Sequence, residues 1–162
     1  MELLYDIAIG ICLAVFIRLF VFTLIYVDGS SMRDTLKTGD RLFATRLELL
    51  FRPPSRGRIV ICLYPGSWHK RYVKRLIGLP GDTIEIRSGE TFVNGRALYE
   101  PYVTHSTRRS MGAITLGDDE YFVMGDNRAN SRDSRAVGPL KRRQIIATAR
   151  LKIWPFKQIH RI

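Results

Sequence analysis

Two adjacent serines, Ser30 and Ser31, follow a long apolar run and precede Met32 in Val27-Asp28-Gly29-Ser30-Ser31-Met32. A serine hydroxyl is a weak nucleophile until a neighbouring base removes its proton. The residue pattern leaves the two serines as equal candidates. Histidine is the usual base, and the chain has three. His69 lies in a Trp-His-Lys turn, His105 in a polar stretch and His160 near the C-terminus, with no orienting pattern beside any of them. They read as ordinary surface residues. There is no CxxC, no HExxH and no carboxylate cluster with histidine, so no metal or cofactor is expected.

Lys74 is the alternative base. In Tyr72-Val73-Lys74-Arg75-Leu76, strand alternation puts Lys74 on the same face as Leu76 and turns Arg75 to the other. An amine in apolar surroundings is poorly hydrated when charged, so its pKa falls. The neutral amine can then act as general base in a Ser-Lys arrangement. The plain reading is a snorkelling edge-strand lysine, and alternation alone leaves both open. A third stretch, Gly125 to Arg135, sets acids, amides, arginines and serines together directly after a predicted strand. It reads either as a solvated loop capping its own backbone or as a network of charge-assisted hydrogen bonds that orients other groups.

These residues need elements to hold them. Ile7 to Val27 is a 21-residue run whose only charge is Arg18, the length of a transmembrane helix. A cleavable signal peptide is the competing reading, but the preceding segment is acidic and no small-x-small site closes the run. Segment 1–6 then precedes the anchor at 7–27, and a single domain occupies 28–162. Strand patterns recur at 41–45, 59–64, 72–77, 83–87, 91–93, 120–124 and 144–153, with Asn94-Gly95 as a hairpin turn and no long helical period after residue 30. The expected fold is mostly β, a coiled antiparallel sheet or barrel-like body behind one N-terminal transmembrane helix. The formal net charge of +11 calls for an anionic partner. The basic residues are scattered, with no nucleic-acid motif, so membrane headgroups are favoured over nucleic acid. Cys12 falls in the apolar run and Cys62 in a predicted strand, so no disulfide joins them.

At the three stretches the sequence resembles the bacterial type I signal peptidases, in the short single-span form typical of Gram-positive bacteria. Gly29 to Leu36 is similar to the nucleophile box, with Ser31 as nucleophile; Tyr72 to Asp82 to the lysine box, with Lys74 as base; and Gly125 to Arg135 to the GDN…S.DSR box. The resemblance implies a membrane-bound serine endopeptidase of coiled antiparallel sheets that removes signal peptides from secreted preproteins after small residues. It implies an acyl-enzyme and a catalytic body on the outer face of the cytoplasmic membrane. The lipid bilayer and the export translocon are its implied partners, and no cofactor is.

By the same resemblance Ser131 hydrogen-bonds and orients the lysine, Asp133 and Arg135 form a supporting ion pair, Asp126 and Arg128 brace that loop, and Arg75 pairs nearby. Val27, Met32, Leu36 and Val73 wall a first substrate pocket. Ile25, Val27, Leu42 and Val73 wall a third, and Tyr72 borders the groove. The chain departs from the family at Gly29, where some members have an oxyanion-binding serine. It departs again at Asp34, where the usual residue is proline; losing a fixed φ is expected to loosen the turn. The stretch from Tyr102 to Gly117 is too short for the large accessory subdomain of some Gram-negative members. Two other readings remain at this level: a Ser-Lys processing peptidase with another substrate, and a membrane-tethered β-domain that binds anions.

Overall fold

The structure, a computed structural model, describes residues 2–16 and 21–162. The first element is helix α1 (Glu2–Phe16). On it Leu4, Ile7, Ile9, Ile11, Leu13 and Val15 stand exposed. At 1.5 Å per residue the helix is about 22 Å long, short of the roughly 30 Å hydrocarbon core of a bilayer. No helix among the described residues is long and apolar enough to cross a membrane.

The helix expected through Val27 is therefore corrected at its C-terminal end. Phe22–Tyr26 is strand β1, paired along its length with β2 (Arg41–Thr45). Twenty-one apolar residues satisfy a hydropathy pattern in either state. Here β-branched and aromatic residues meet an available partner strand, so the backbone bonds laterally. The folded body begins by Phe22 rather than at residue 28. Arg18, Leu19 and Phe20 lie outside the described residues.

The remaining elements are α2 (Leu47–Phe51), β3 (Ile59–Tyr64), β4 (Ser67–Gly78), β5 (Thr83–Arg87), β6 (Glu90–Val93), β7 (Arg96–Ala97), β8 (Met111–Thr115), β9 (Glu120–Met124), α3 (Ser134–Val137), β10 (Leu140–Lys141), β11 (Ile145–Trp154) and β12 (His160–Arg161). The larger sheet runs β1-β2-β11-β3-β4-β9-β10, with β12 added to β11. The smaller runs β7-β6-β5-β8. All these strand pairs are antiparallel. The terminal strands of the larger sheet, β1 and β10, do not pair with each other, so the body is two coiled sheets rather than a closed barrel.

Strand β3 is apolar without alternation because it lies between β11 and β4 and is covered on both faces. Ile59 and Ile61 face one cluster with Ile25, Val27, Met32, Leu36, Leu42 and Ala44. Val60, Cys62 and Tyr64 face a second with Leu76, Val123 and Ile145. Strand β4 carries the frame onward: Ile77 joins a third cluster with Ile84, Ile86, Val93, Phe122 and Met124, which ties the smaller sheet to the larger. The catalytic candidates sit along this spine.

Candidate active site

Ser31 lies in the loop that joins β1 to β2. The loop is closed at its neck, where Val27 N donates to Asp40 O at 2.9 Å and Gly39 N to Val27 O at 3.0 Å. Met32 and Leu36 sit one helical turn apart, joined by Leu36 N to Met32 O at 2.8 Å, and both are buried. Two apolar anchors thus hold the turn to the core and leave Ser31 half-buried at its edge. Lys74 sits in mid-β4 opposite Val60 of β3 and is only 3 % exposed. Its Nζ is 2.5 Å from Ser31 Oγ. That contact separates the serines: Ser30 Oγ instead accepts from Asn130 Nδ2 at 2.9 Å.

Burial holds Lys74 below the ordinary lysine range, against the opposing pull of Cys62, Asp133 and Asp126. Lys74 is thus buried on the face that strand alternation assigned to it, where a charged amine is poorly hydrated. Cys62, one strand away on β3, is fully buried, and its thiol is pushed up to about 12 by the same desolvation.

The loop after β9 holds the Ser30–Ser31 backbone in place. Ser31 O accepts from Asn127 N at 3.0 Å, and Asn127 Nδ2 donates to Ser30 O at 3.1 Å. Gly125 passes directly beneath Ser31. A Cβ there would meet Ser31 O at 2.4 Å and Ser131 Oγ at 2.3 Å, so only glycine fits the approach. Gly125 N donates to the buried Asp133 carboxylate at 3.0 Å, and Arg135 binds Asp133 through both Nε and Nη2 at 2.8 Å. Burial alone would raise the Asp133 pKa; Arg135 and the Gly125 N–H outweigh it and hold the carboxyl below the ordinary value.

A second buried pair braces the opposite side. Arg75 grips Asp126 through Nε at 2.8 Å and Nη2 at 2.6 Å, and Asp126 also accepts from Thr35 Oγ1 at 2.6 Å. The Ser31 loop, β4 and the loop after β9 therefore meet at one carboxylate. The Arg75 guanidinium lies 3.9 Å over the Tyr102 ring, and Tyr102 donates to Glu100 at 2.9 Å. Arg128 pairs with Glu100, at 2.5 and 2.8 Å, and not with Asp126.

Most of the expected residues gather here, with three differences. Ser131 Oγ is buried but makes no hydrogen bond to Lys74; it lies against Gly125 instead. A cavity of about 860 Å³ runs between residues 26–32 and 69–74, with Asn130 and Arg132 at its edge. Val27, Met32, Tyr72 and Val73 line it, whereas Ile25, Leu36 and Leu42 form the buried layer behind. Asp34 does not leave its turn loose. It adopts φ +74°, a conformation that proline's ring forbids, and its carboxylate accepts from Thr104 and lies 3.2 Å from His105 Nε2. The sequence marks Thr35, Asn127 and Asn130 only as members of their motif stretches, and Glu100 and Tyr102 not at all. Glu100 and Tyr102 sit in an aperiodic polar stretch, where only contacts distant in the chain give them a role.

A family model described as "Signal peptidase, peptidase S26" matches residues 1–154. Signal peptidase I of Bacillus amyloliquefaciens is 37 % identical over 166 residues, covering 96 % of this chain and 88 % of the relative. A probable signal peptidase I-2 of Synechocystis is 36 % identical, covering 93 % of this chain and 71 % of the relative. The crystal structure of a signal peptidase I from Enterococcus faecalis superposes with a TM-score of 0.54 at 30 % identity, over 60 % of this chain and 97 % of that one.

Proposed function

Because the chain belongs to the signal peptidase family, peptidase S26, and is a serine peptidase of the signal peptidase I type, we propose that it cuts signal peptides from exported preproteins with a Ser31–Lys74 dyad. The observation that carries this reading is the buried amine of Lys74 at 2.5 Å from Ser31 Oγ. The uncharged amine accepts the Ser31 proton as Oγ attacks the scissile carbonyl carbon. The resulting ammonium then protonates the leaving amine as the C–N bond breaks, which leaves an acyl ester on Ser31. Lys74, neutral again, takes a proton from the water that hydrolyses the ester. The Ser31 backbone N–H holds the oxyanion. Asp133–Arg135 and Asp126–Arg75 fix the geometry on which proximity depends.

The substrate lies extended in the groove between residues 26–32 and β4, adding a strand to the sheet. The apolar wall of Val27, Met32 and Val73 admits small side chains before the cut. The exposed apolar residues of α1 belong to an anchor that keeps the body on the outer face of the cytoplasmic membrane, close to preproteins leaving the export translocon. Preprotein processing by wild type, Ser31→Ala and Lys74→Ala tests the dyad. Each variant is expected to lose processing by at least about a thousandfold, and full processing by either one refutes it. Alkaline extraction of membranes tests the anchor: release of the chain into the supernatant refutes it.

A further inference from the structure

Glu100 stands outside the three stretches that resemble the family motifs, in the loop between β7 and β8. Only 10 % of its side chain is exposed, and its contacts run towards Ser31 by two routes. On the first, Oε1 accepts from Arg128 Nη2 at 2.5 Å and Oε2 from Arg128 Nη1 at 2.8 Å. The Arg128 side chain is 1 % exposed, and its third nitrogen, Nε, donates to Gly125 O at 3.0 Å. Nη1 also reaches Thr91 Oγ1 on β6 at 2.8 Å. On the second route, Tyr102 Oη donates to Glu100 Oε1 at 2.9 Å, and the Tyr102 ring lies under the Arg75 guanidinium that grips Asp126. Burial, and after it the Glu100 carboxylate, push the Tyr102 phenol up, so it remains the donor. The two routes end on adjacent residues, Gly125 and Asp126.

We propose that Glu100 is a positioning residue for peptide-bond cleavage at Ser31, acting through the orientation of Arg128 on Gly125. A guanidinium is a rigid planar fork. Pinning both terminal nitrogens to one carboxylate fixes the plane of the fork, and with it the point at which Nε meets Gly125 O. Gly125 has no slack to absorb a shift, since a Cβ there would lie 2.4 Å from Ser31 O. Lys74 is held separately, by the pairing of β4 with β3 and β9. A displaced Gly125 therefore moves Ser31 relative to an amine that stays in place. Without Glu100 the buried Arg128 charge is unpaired, and the guanidinium turns towards other acceptors or water. The Tyr102 route carries less, because Asp126 and Gly57 O hold the Arg75 guanidinium directly. The inference rests on the Ser31–Lys74 reading above.

The test measures kcat, KM and Tm on the full chain in neutral detergent, with a peptide spanning a signal-peptide cleavage site. Glu100→Gln keeps the shape of the side chain and removes its charge. It is expected to lower kcat about thirty- to hundredfold, the effect of a displacement approaching 1 Å. KM changes less than about twofold, because the groove is lined by residues 26–32 and 69–74 with Asn130 and Arg132. Tm also falls, because Arg128 is left as an unpaired buried charge. Glu100→Leu/Arg128→Met removes both charges, and apolar replacement of a whole buried pair preserves stability. In that variant Tm is expected within about 5 °C of wild type, while kcat stays at least about tenfold down. Tyr102→Phe keeps the ring, cuts one hydrogen bond of the second route and lowers kcat less than about fivefold. Wild-type kcat in Glu100→Gln overturns the proposal. Recovery of kcat together with Tm in the double variant also overturns it and leaves Glu100 a residue of the fold only. A larger loss in Tyr102→Phe than in Glu100→Gln overturns the route through Arg128. If Glu100→Gln does not fold, the double variant decides by the same criterion. The dyad is refuted by full processing in Ser31→Ala or Lys74→Ala and the role of Glu100 by these kcat values, so the two readings fail separately.

Discussion

Gly125 offers a sharp test, because its replacement changes no charge, no hydrogen-bonding group and no proposed reacting atom. In Gly125→Ala the new methyl group would lie 2.4 Å from Ser31 O and 2.3 Å from Ser131 Oγ. Real Cβ contacts stop near 3.0 Å, so at least about 0.6 Å must be relieved. Ser31 O cannot retreat freely, since it accepts from Asn127 N at 3.0 Å and belongs to the proposed nucleophile. Gly125 cannot retreat either without loosening its bond to Asp133 at 3.0 Å. Overpacking of this kind costs about 1–3 kcal/mol, which lowers the Tm of a chain this size by roughly 3–10 °C. The larger effect falls on catalysis, because a displacement approaching 1 Å between nucleophile and base costs on the order of a hundredfold in rate. The assay is kcat/KM on a peptide spanning a signal-peptide cleavage site, with Tm measured on the same preparation. A folded variant with a fifty- to hundredfold loss in kcat and little change in KM is expected. Wild-type kcat together with a wild-type Tm would refute the claim that Gly125 sets the Ser31–Lys74 geometry.

The pH–rate profile of kcat/KM should rise through a Lys74 pKa below the ordinary 10.5 and level off before that value; a limb at the ordinary value contradicts a desolvated base. The same shift has a stability sign. Between the folded and ordinary pKa values the unfolded chain binds the extra proton, so stability climbs with pH across that window, and Lys74→Met abolishes the climb in urea titrations. Asp126→Ala leaves Arg75, with only 12 % of its side chain exposed, without its carboxylate. A loss of about 3–5 kcal/mol in denaturant unfolding is expected, and a loss under 1 kcal/mol contradicts the bracing role. Asp34→Pro cannot adopt φ +74° and is expected to lower both Tm and activity, whereas Asp34→Gly keeps the backbone and loses only the ties to Thr104 and His105. Equal behaviour of the two variants in thermal melts rules out the turn as the cause.

The split between what was legible and what was not follows the range of the interactions. Strands β2, β3, β5 and β9 are written in runs of apolar and β-branched residues, and burial only selects which face of each run is used. Lys74 is legible for the same reason: a period of two places its amine with Leu76, whatever the rest of the fold does. The run from Ile7 to Val27 shows where this fails. Hydropathy measures an affinity for apolar surroundings and is the same for a helix in lipid and a strand on a sheet. Only the pairing of Phe22–Tyr26 with Arg41–Thr45 decides the state.

The same limit applies inside the site. Resemblance made Asp126 and Arg128 braces of one loop with Arg75 pairing nearby; the fold gives Asp126 to Arg75 and Arg128 to Glu100, partners far apart in the chain that only folding brings together. By itself the sequence determined the residue types able to do the chemistry, the face on which the base lies and the membership of the family. Resemblance to the family already preferred Ser31 of the two adjacent serines, and tertiary structure put its Oγ against the Lys74 amine. Tertiary structure also decided that Asp34 ties its turn down. Those outcomes depend on distances between segments far apart in sequence, and no local pattern encodes them.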